Sequence, residues 1–334
     1  MKRSPFRYSI TLLASLFMGT VFSASAALNT DNIQPESPTF KMGIQPWLGY
    51  GQWYVAQEKG LFSDNGLTQV EMLNFSEDKD INAALASGQI DGANVATHTA
   101  MSMVSAGLPV KIVLLLDTSQ TADALIVDSS IKALADLKGK QVAYEEGTTS
   151  DILLRSAIEQ AGLSWSDIIP VPMPAASAGS ALIAKRVPAA VTYEPYLTVA
   201  HNTDPTVVTL FSGNDAPGII SDVFVVRDEV IEKRPNQVLA LIKSWDSAVN
   251  YYNSHNADGR NIIAKGVGAE PEEVSSAFDG VRFYSVADNK AEFSGHFKQD
   301  IFSQILKAAT DAEMMMSPVT FETVVDSQFV EAFK

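Results

Sequence analysis

The chain has 334 residues, a formal net charge of −15 and no cysteine. A protein this acidic repels nucleic acid and anionic membrane surfaces, so we expect neither as a partner. The lack of cysteine excludes disulfides, thiolate metal sites and a cysteine nucleophile. A chain of this length can bury a large core without disulfides, and the length favours two lobes over one domain.

Residues 1–26 have the layout of a secretory signal peptide. A positively charged start precedes a mostly apolar run from Tyr8 to Phe22, and Ala24-Ser25-Ala26 is a small-residue cleavage site. We predict cleavage after about Ala26 and export to the periplasm, with three cations lost from the net charge. No later segment reaches the roughly 18 apolar residues that a membrane span requires. Residues 27–38 lack periodicity and are predicted to form a flexible leader.

Strand-like and helix-like runs then alternate along the chain. Apolar runs predict strands at 70–75, 90–96, 110–116, 124–127, 140–144, 168–173, 189–193 and 223–226. Helices are predicted at 80–87, 150–161, 176–185, 236–252, 262–265, 271–278 and 293–313. The unbroken apolar run at 110–116 is typical of a parallel strand that is buried on both faces. The alternation predicts an α/β fold with two lobes and a helical C-terminal extension.

The segment 43–62 carries the strongest functional signal. It predicts a strand, a loop rich in glycine and aromatic residues, and a short helix closed by Gly60. Trp47 and Tyr50 fall where the strand hands over to the helix, and ligands of open α/β sheets bind at such edges. A surface turn with both rings folded into the core is an equally weighted alternative.

Two further loops follow predicted strands and carry polar side chains. In the loop at 144–150, Thr148 and Thr149 stand at a helix start, where hydroxyls and free N–H groups bind ligands or simply cap the helix. In the second, Glu194 lies between two tyrosines, which suits a cationic or hydrogen-bonding ligand group. The alternative is that Glu194 is a solvated acid or a cap of the helix that begins at Pro195.

Asp222 stands at the mouth of one apolar strand and Asp117 follows another, and an acid there is costly unless it is paired or exposed. An exposed strand end or a turn would account for either residue. The four histidines show no metal-ligand spacing. No nucleophile elbow or phosphate-binding loop motif occurs, so we predict no metal, no cofactor and no catalytic residue.

The whole pattern resembles solute-binding proteins of ABC importers, in the nitrate, sulfonate and taurine group and its relatives that bind pyrimidine precursors of thiamine. Five segments in the expected order carry this resemblance: Trp53–Phe62, Ala84–Ala93, Leu137–Val142, Ala189–Tyr196 and Asp222–Arg227. One departure is visible, because Lys185-Arg186-Val187-Pro188 stands where relatives have a Gly-x-(Val/Ile)-Asp turn. The departure puts the local loop in doubt, and not the fold.

The resemblance implies a two-lobe periplasmic-binding-protein fold of type II, with a ligand enclosed as the lobes close about a hinge. Lobe 1 would hold residues 39–126 plus 224–334, and lobe 2 residues 127–223, with the chain crossing near 124–129 and 221–227. By analogy the pocket draws on Gln45, Trp47, Tyr50, Thr97, His98, Ser119, Gln120, Thr148, Thr149, Glu194 and Asp222.

The implied function is a monomeric solute-binding subunit that delivers a small molecule to a membrane permease and its ATPase. The candidate pocket has acids and rings but no Arg or Lys in its strand-end loops, which favours a nitrogenous solute. That solute would be an aminosulfonate-like zwitterion or a cation of the amine, guanidinium or pyrimidine type. An exported enzyme acting on a small nitrogen heterocycle, and a ligand-sensing domain, are the alternatives.

Overall fold

The computed structural model describes residues 28–75, 78–272 and 274–334, so the predicted signal peptide lies outside the described residues. The strands are β1 Thr39–Ile44, β2 Gln69–Asn74, β3 Gly92–Ala96, β4 Val110–Ser119, β5 Asp123–Val127, β6 Gln141–Tyr144, β7 Ile169–Pro172, β8 Ala189–Tyr193, β9 Val208–Ser212, β10 Ser221–Arg227 and β11 Val281–Phe283. No helix among the described residues is long and apolar enough to span a bilayer.

The helices of the first two thirds of the chain are α1 Gln52–Glu58, α2 Leu61–Asp64, α3 Asp78–Ser87, α4 Thr97–Ser105, α5 Thr149–Gln160, α6 Ala175–Ile183 and α7 Tyr196–Thr203. The last third holds α8 Asp228–Lys233, α9 Pro235–Ser254, α10 Asn256–Val267, α11 Ser275–Asp279, α12 Val286–Ser294, α13 Phe302–Asp311, α14 Phe321–Val324 and α15 Gln328–Glu331. Short 3-10 turns lie at Leu48–Tyr50, Leu134–Leu137 and Trp165–Asp167, and a π-helical turn lies at Phe297–Ile301. The predicted helix at 293–313 is therefore interrupted.

The first sheet has the order β11-β4-β10-β3-β1-β2. Strands β1, β2 and β3 are parallel, whereas β10 is antiparallel to both β3 and β4. The prediction that 110–116 is a parallel strand is wrong, because both neighbours of β4 run opposite to it. Its apolar run is explained by burial alone, since nine of its ten residues are buried. The large core lies against this sheet, with the Trp53 ring in contact with the rings of Phe224 and Trp245.

The second sheet has the order β7-β6-β8-β5-β9. Strand β5 is antiparallel to β8 and to β9, whereas β6 is parallel to β7 and β8. A separate apolar cluster covers one face of this sheet and includes Ile126, Leu182 and Leu197. Two sheets, each with its own helices, make the two lobes.

The chain passes from the first sheet to the second at residues 120–122 and returns at residues 213–220. Each of these segments lies just before one of the two predicted crossings. The predicted crossing near 124–129 falls within or just after β5 of the second sheet, and the one at 221–227 is β10 of the first sheet. The two crossings contact each other, because the backbone N–H of Asn214 donates to the carbonyl of Gln120 at 2.7 Å. We therefore propose hinge segments at 120–122 and 213–220.

The prediction of a flexible leader does not fit its second half, which is bound to the start of α9. The Glu36 carboxylate accepts the backbone N–H groups of Asn236 at 3.0 Å and Gln237 at 2.9 Å. Free N–H groups at a helix start favour a negative charge, so Glu36 serves as a cap from outside the helix. The Gln237 side chain in turn donates to the carbonyls of Ser37 and Thr39.

Helices α5 and α13 connect the lobes on one side of the molecule. The Arg155 guanidinium donates to Asp151 at 2.7 Å and to the carbonyl of Asp311 at 2.8 Å. Lys307 lies 3.5 Å from Glu159 and 2.8 Å from Asp311. The C-terminal helices thus contact the second lobe as well as the first sheet.

The loop at 185–188, which departs from the turn expected for the family, begins in a backbone conformation that glycine favours. Lys185 follows α6 with φ of 56°, in the left-handed region that costs roughly 1–2 kcal/mol for a residue with a side chain. Its amide donates to the carbonyl of Leu182, and its ammonium group pairs with Asp204 at 2.7 Å. The turn is therefore kept although the glycine is replaced.

Candidate functional site

A cleft of about 540 Å³ lies between the two sheets, a volume typical of small-molecule sites. Its walls come from both lobes, at the strand ends and in the loops that follow them. The residues that line it are Gln45, Trp47, Tyr50, Asp78, Lys79, Ala96, His98, Asp123, Glu145, Gly147, Thr148, Thr149, Tyr193, Ile220 and Asp222.

The loop after β1 supplies the aromatic wall of the first lobe. Trp47 is partly exposed to the cleft, and its indole Nε1 donates to Asp117 Oδ1 at 3.4 Å. Tyr50 is only 3% exposed, but its hydroxyl donates to Asp222 Oδ1 at 3.0 Å. Gly49 is required between them, because a Cβ there would lie 2.2 Å from Asp117 Oδ2. The loop thus presents Trp47 to the cleft and uses Tyr50 to orient a carboxyl group.

The start of α5 supplies the opposite wall. Thr148 caps the helix, since its hydroxyl oxygen accepts the backbone N–H of Ser150 at 3.2 Å. The backbone N–H of Gly147 donates to Asp151 Oδ2 at 3.1 Å. A carboxylate of the protein itself therefore already lies at this positive helix end, which weakens its attraction for an external anion. Thr148 therefore caps the helix, and Thr148 and Thr149 also line the cleft, so ligand contact by this loop stays a prediction.

Carboxyl groups dominate the electrostatics of the cleft. Burial raises the pKa of Asp222 to about 7, against hydrogen bonds to Tyr50, Asp117 and Trp47 that lower it. Burial also raises the pKa of Asp123 to about 6, although a hydrogen bond to Ser119 opposes the shift. Asp117, behind Asp222 and fully buried, has its pKa raised well above the usual range by burial and by the charge of Asp222. These acids need a proton or a cation beside them.

His98 is the second residue of α4 and lines the cleft together with Gly147 of the second lobe, and its Nε2 lies 3.4 Å from the Thr99 hydroxyl. Its side chain is 5% exposed, and this burial lowers its pKa to about 4, in spite of the nearby charge of Asp78. The ring is therefore neutral at physiological pH and acts there as a hydrogen-bonding group.

The buried neutral histidine predicts a loss of stability in acid. The unfolded chain takes up a proton at His98 below about pH 6.5, whereas the folded protein does so only near pH 4. The wild type should therefore lose about 3 kcal/mol relative to His98→Gln as the pH falls through this window. Urea unfolding of both proteins across the window measures this difference. His255→Gln, at an exposed position, is the matched control, and a difference for His98→Gln that does not change with pH would refute the prediction.

Four of the predicted pocket residues do not line the cleft. The Thr97 hydroxyl donates to the carbonyl of Ser221, which ties α4 to β10, and Ser119 Oγ accepts the backbone N–H of Asp123 at 2.9 Å. Gln120 lies in the first crossing segment. Glu194 accepts two hydrogen bonds from Thr198 in α7, at 3.1 and 3.0 Å, and so caps that helix. The other seven, which line the cleft, are Gln45, Trp47, Tyr50, His98, Thr148, Thr149 and Asp222.

The structure adds eight residues to the lining that the sequence did not indicate as such. Glu145 and Gly147 belong to a loop that was singled out, and Tyr193 precedes Glu194 in another. Asp123 directly precedes the predicted strand at 124–127, and an acid in that position is a signal that could have found it. Asp78 and Lys79 begin α3 far along the chain from the other groups, and no local pattern marks them.

The chain matches the family described as NMT1/THI5-like over residues 49–258. A putative binding protein of Brucella abortus is 28% identical over 257 residues, which cover 76% of this chain and 77% of the relative. The taurine-binding periplasmic protein of Escherichia coli is 22% identical over 285 residues, 83% of this chain and 88% of that protein.

Among solved structures, the periplasmic aliphatic sulphonate binding protein SsuA of Escherichia coli aligns with a TM-score of 0.73 and 20% identity, over 87% of this chain and 92% of that chain. This likeness confirms the predicted two-lobe fold of periplasmic binding proteins. The family match extends from the aromatic loop of the first lobe, through the whole second lobe, into the C-terminal helices. The chain therefore belongs to the NMT1/THI5-like family.

Proposed function

We propose that this protein is the exported solute-binding subunit of an ABC importer, which captures a small nitrogenous solute between its lobes as a monomer and delivers it to a permease in the membrane. The family and the periplasmic binding proteins among its relatives support the role in binding. The same evidence favours binding over catalysis. The proposed place of action is the periplasm, after removal of the signal peptide.

The charge of the cleft is the observation that carries the choice of solute. The described residues that line it include four carboxyl groups, on Asp78, Asp123, Glu145 and Asp222, and one ammonium group, on Lys79. Two unit charges 4 Å apart interact by about 4 kcal/mol near a protein surface. A nitrate or simple sulfonate would meet mostly repulsion here, whereas an ammonium or amidinium group finds several partners.

The aromatic side chains agree with a cation. Trp47 and Tyr193 line the cleft beside the acids, and an indole or phenol face attracts an organic cation within about 6 Å. An aminosulfonate remains compatible, because its anionic end could lie by Lys79 or near the start of α5. A cationic solute and an aminosulfonate therefore share the positively charged group that the acids would bind.

Calorimetric titration with a panel of charged probes tests the proposal directly. Benzamidine, benzylamine, taurine, methanesulfonate and nitrate are added in turn to the full mature chain. We expect saturable binding of the amine and amidine probes, or of taurine, without turnover. Stabilisation of about 2.7 kcal/mol should accompany a probe present at 100 times its Kd. Binding of only methanesulfonate and nitrate would refute the choice of solute.

Trp47→Ala should weaken binding of a panel cation about tenfold or more while the fold is kept, because the ring forms a wall of the cleft and lies partly outside the core. The measurement is the Kd by calorimetry, together with the circular dichroism spectrum. Trp165→Ala is the matched control, since that ring lies in the second lobe against Arg155. Unchanged affinity in Trp47→Ala would mean that the ring only packs.

A further inference from the structure

Two aspartates lie side by side at the back of the cleft. Asp222 of β10 and Asp117 of β4 are direct neighbours in the antiparallel register. Their side chains are 6% and 0% exposed. Each accepts one hydrogen bond from the aromatic loop, Asp222 from the Tyr50 hydroxyl and Asp117 from the Trp47 indole. Asp222 lines the cleft, whereas Asp117 does not.

The position of these two groups favours one shared proton, because residues directly opposite on antiparallel strands have Cβ atoms roughly 4.5–5.5 Å apart and two ionised carboxylates there repel each other. An ionised carboxylate only accepts hydrogen bonds, so two carboxyl groups can bond to each other only when one of them is protonated. Asp117 Oδ2 is buried and has no N–H or O–H partner among the described residues. An oxygen that carries the shared proton explains this lack of a partner, and burial of both groups opposes full ionisation.

We propose that the Asp117–Asp222 pair holds one proton in the absence of solute and releases it when a cationic solute binds, so that Asp117 determines specificity without touching the solute. This inference rests on the proposed function, in that the solute carries a positive charge. The O–H bond of the pair breaks and its proton passes to the buffer. The carboxylate left on Asp222 then bonds to the ammonium or amidinium group.

Other charged and titratable groups face the pair from each neighbouring element. They are Tyr50 from the 3-10 turn, Asp78 and Lys79 from α3, His98 from α4, Asp123 from β5, Arg282 and Tyr284 at β11, and Asp288 from α12. Burial puts the pKa of His98 at about 4 and that of Tyr284 at about 12, outside the range in which the pair titrates. Burial raises the pKa of Asp123 to about 6, within the range in which the pair titrates, so Asp123 needs its own variant.

Proton release is measured by titrating the full mature chain with benzamidine near pH 7 in phosphate and in Tris, whose ionisation enthalpies differ. We expect about half a proton released per benzamidinium bound, because a pair that titrates near pH 7 is about half protonated at this pH. The Kd should fall up to tenfold per pH unit between about pH 5 and 7 and level off above about pH 8, since the proton competes with the cation.

In Asp117→Asn the proton release and the pH dependence of the Kd should both disappear, whereas Asp123→Asn should keep most of the release and of the pH dependence. Equal affinity at all pH values in the wild type, or a full slope in Asp117→Asn, overturns the inference.

A second measurement separates this inference from the proposed function. The infrared spectrum of the protein without probe should show the carbonyl band of a protonated carboxyl group at pH 7, and the band should be lost in Asp117→Asn. If benzamidine and the other cations do not bind, the proposed solute class fails, and the band still reports on the pair. Absence of the band in the wild type overturns the shared proton whatever the solute is.

Discussion

Asp222→Asn should lower the affinity for benzamidine about 100-fold, which corresponds to about 2.7 kcal/mol. The substitution keeps the shape of the side chain and an oxygen for the Tyr50 hydroxyl, which lies 3.0 Å from Oδ1. It removes the carboxylate that lines the cleft and that we expect to meet the cation. The Kd is measured by calorimetry near pH 8, where the wild-type pair has lost its proton.

Stability distinguishes a binding role of Asp222 from a structural one. The pKa of Asp222 rises from its usual value to about 7 on folding, so the wild type loses stability as the pH rises through this interval. Asp222→Asn has no carboxyl group to ionise at this position, so it should be at least as stable as the wild type near pH 8. Glu146→Gln, an exposed neighbour of the cleft, is the control for a general charge effect. If Asp222→Asn binds benzamidine within about threefold of the wild type, Asp222 is not the partner of the cation.

Gly213→Ala should destabilise the protein by about 3 kcal/mol, because the two crossing segments touch at this residue. A Cβ on Gly213 would lie 1.9 Å from the carbonyl oxygen of Ser119, and neither backbone can yield as a flexible side chain would. The expected fall in Tm is about 5 °C, since a mature chain of roughly 300 residues has an unfolding entropy of about 0.6 kcal/mol/K. Differential scanning calorimetry of the ligand-free protein measures this fall.

Gly179→Ala is the matched control for that substitution. It lies in α6, where an added Cβ would have its nearest neighbour 3.5 Å away at Thr192 Cγ2, which is an ordinary contact. Alanine in a helix is favoured over glycine by roughly 0.5–1 kcal/mol, so this variant should keep or raise the Tm. A Tm of Gly213→Ala equal to that of the wild type would show that the crossings can separate at little cost.

Much of the fold could be predicted from local patterns, because apolar runs bounded by turns mark buried strands. Strand β9 escaped prediction since it is an edge strand and its first two residues are exposed. Helix α4 was not predicted, because its start, Thr97-His98-Thr99, is polar in sequence although all three residues are buried. The direction of β4 depends on β10, which arrives from the second lobe, and no local signal encodes that pairing.

The site was also predicted only in part, because the side chains that reach the cleft depend on contacts that no local pattern encodes. The loops singled out after strands all contribute to the lining of the cleft, but the choice of side chain within a loop depends on the helix that comes next. Glu194 caps α7, and Tyr193 one position earlier lines the cleft instead. Asp123 and Asp78 reach the cleft only through tertiary packing. The sequence alone therefore gives no reason to place either of them near Asp222.

The order of strands in the two sheets has a consequence for how the protein folds. Every strand of the second sheet comes from residues 123–212, so that sheet can form from one continuous piece of chain. The first sheet needs β10 between β3 and β4 and β11 at its edge, and so it stays incomplete until residue 283 is available. Because closing long loops slows folding, we expect the second lobe to become protected from hydrogen exchange before the first. The half-built first sheet, with the apolar edges of β3 and β4 unpaired, would then be the species most prone to aggregate during refolding.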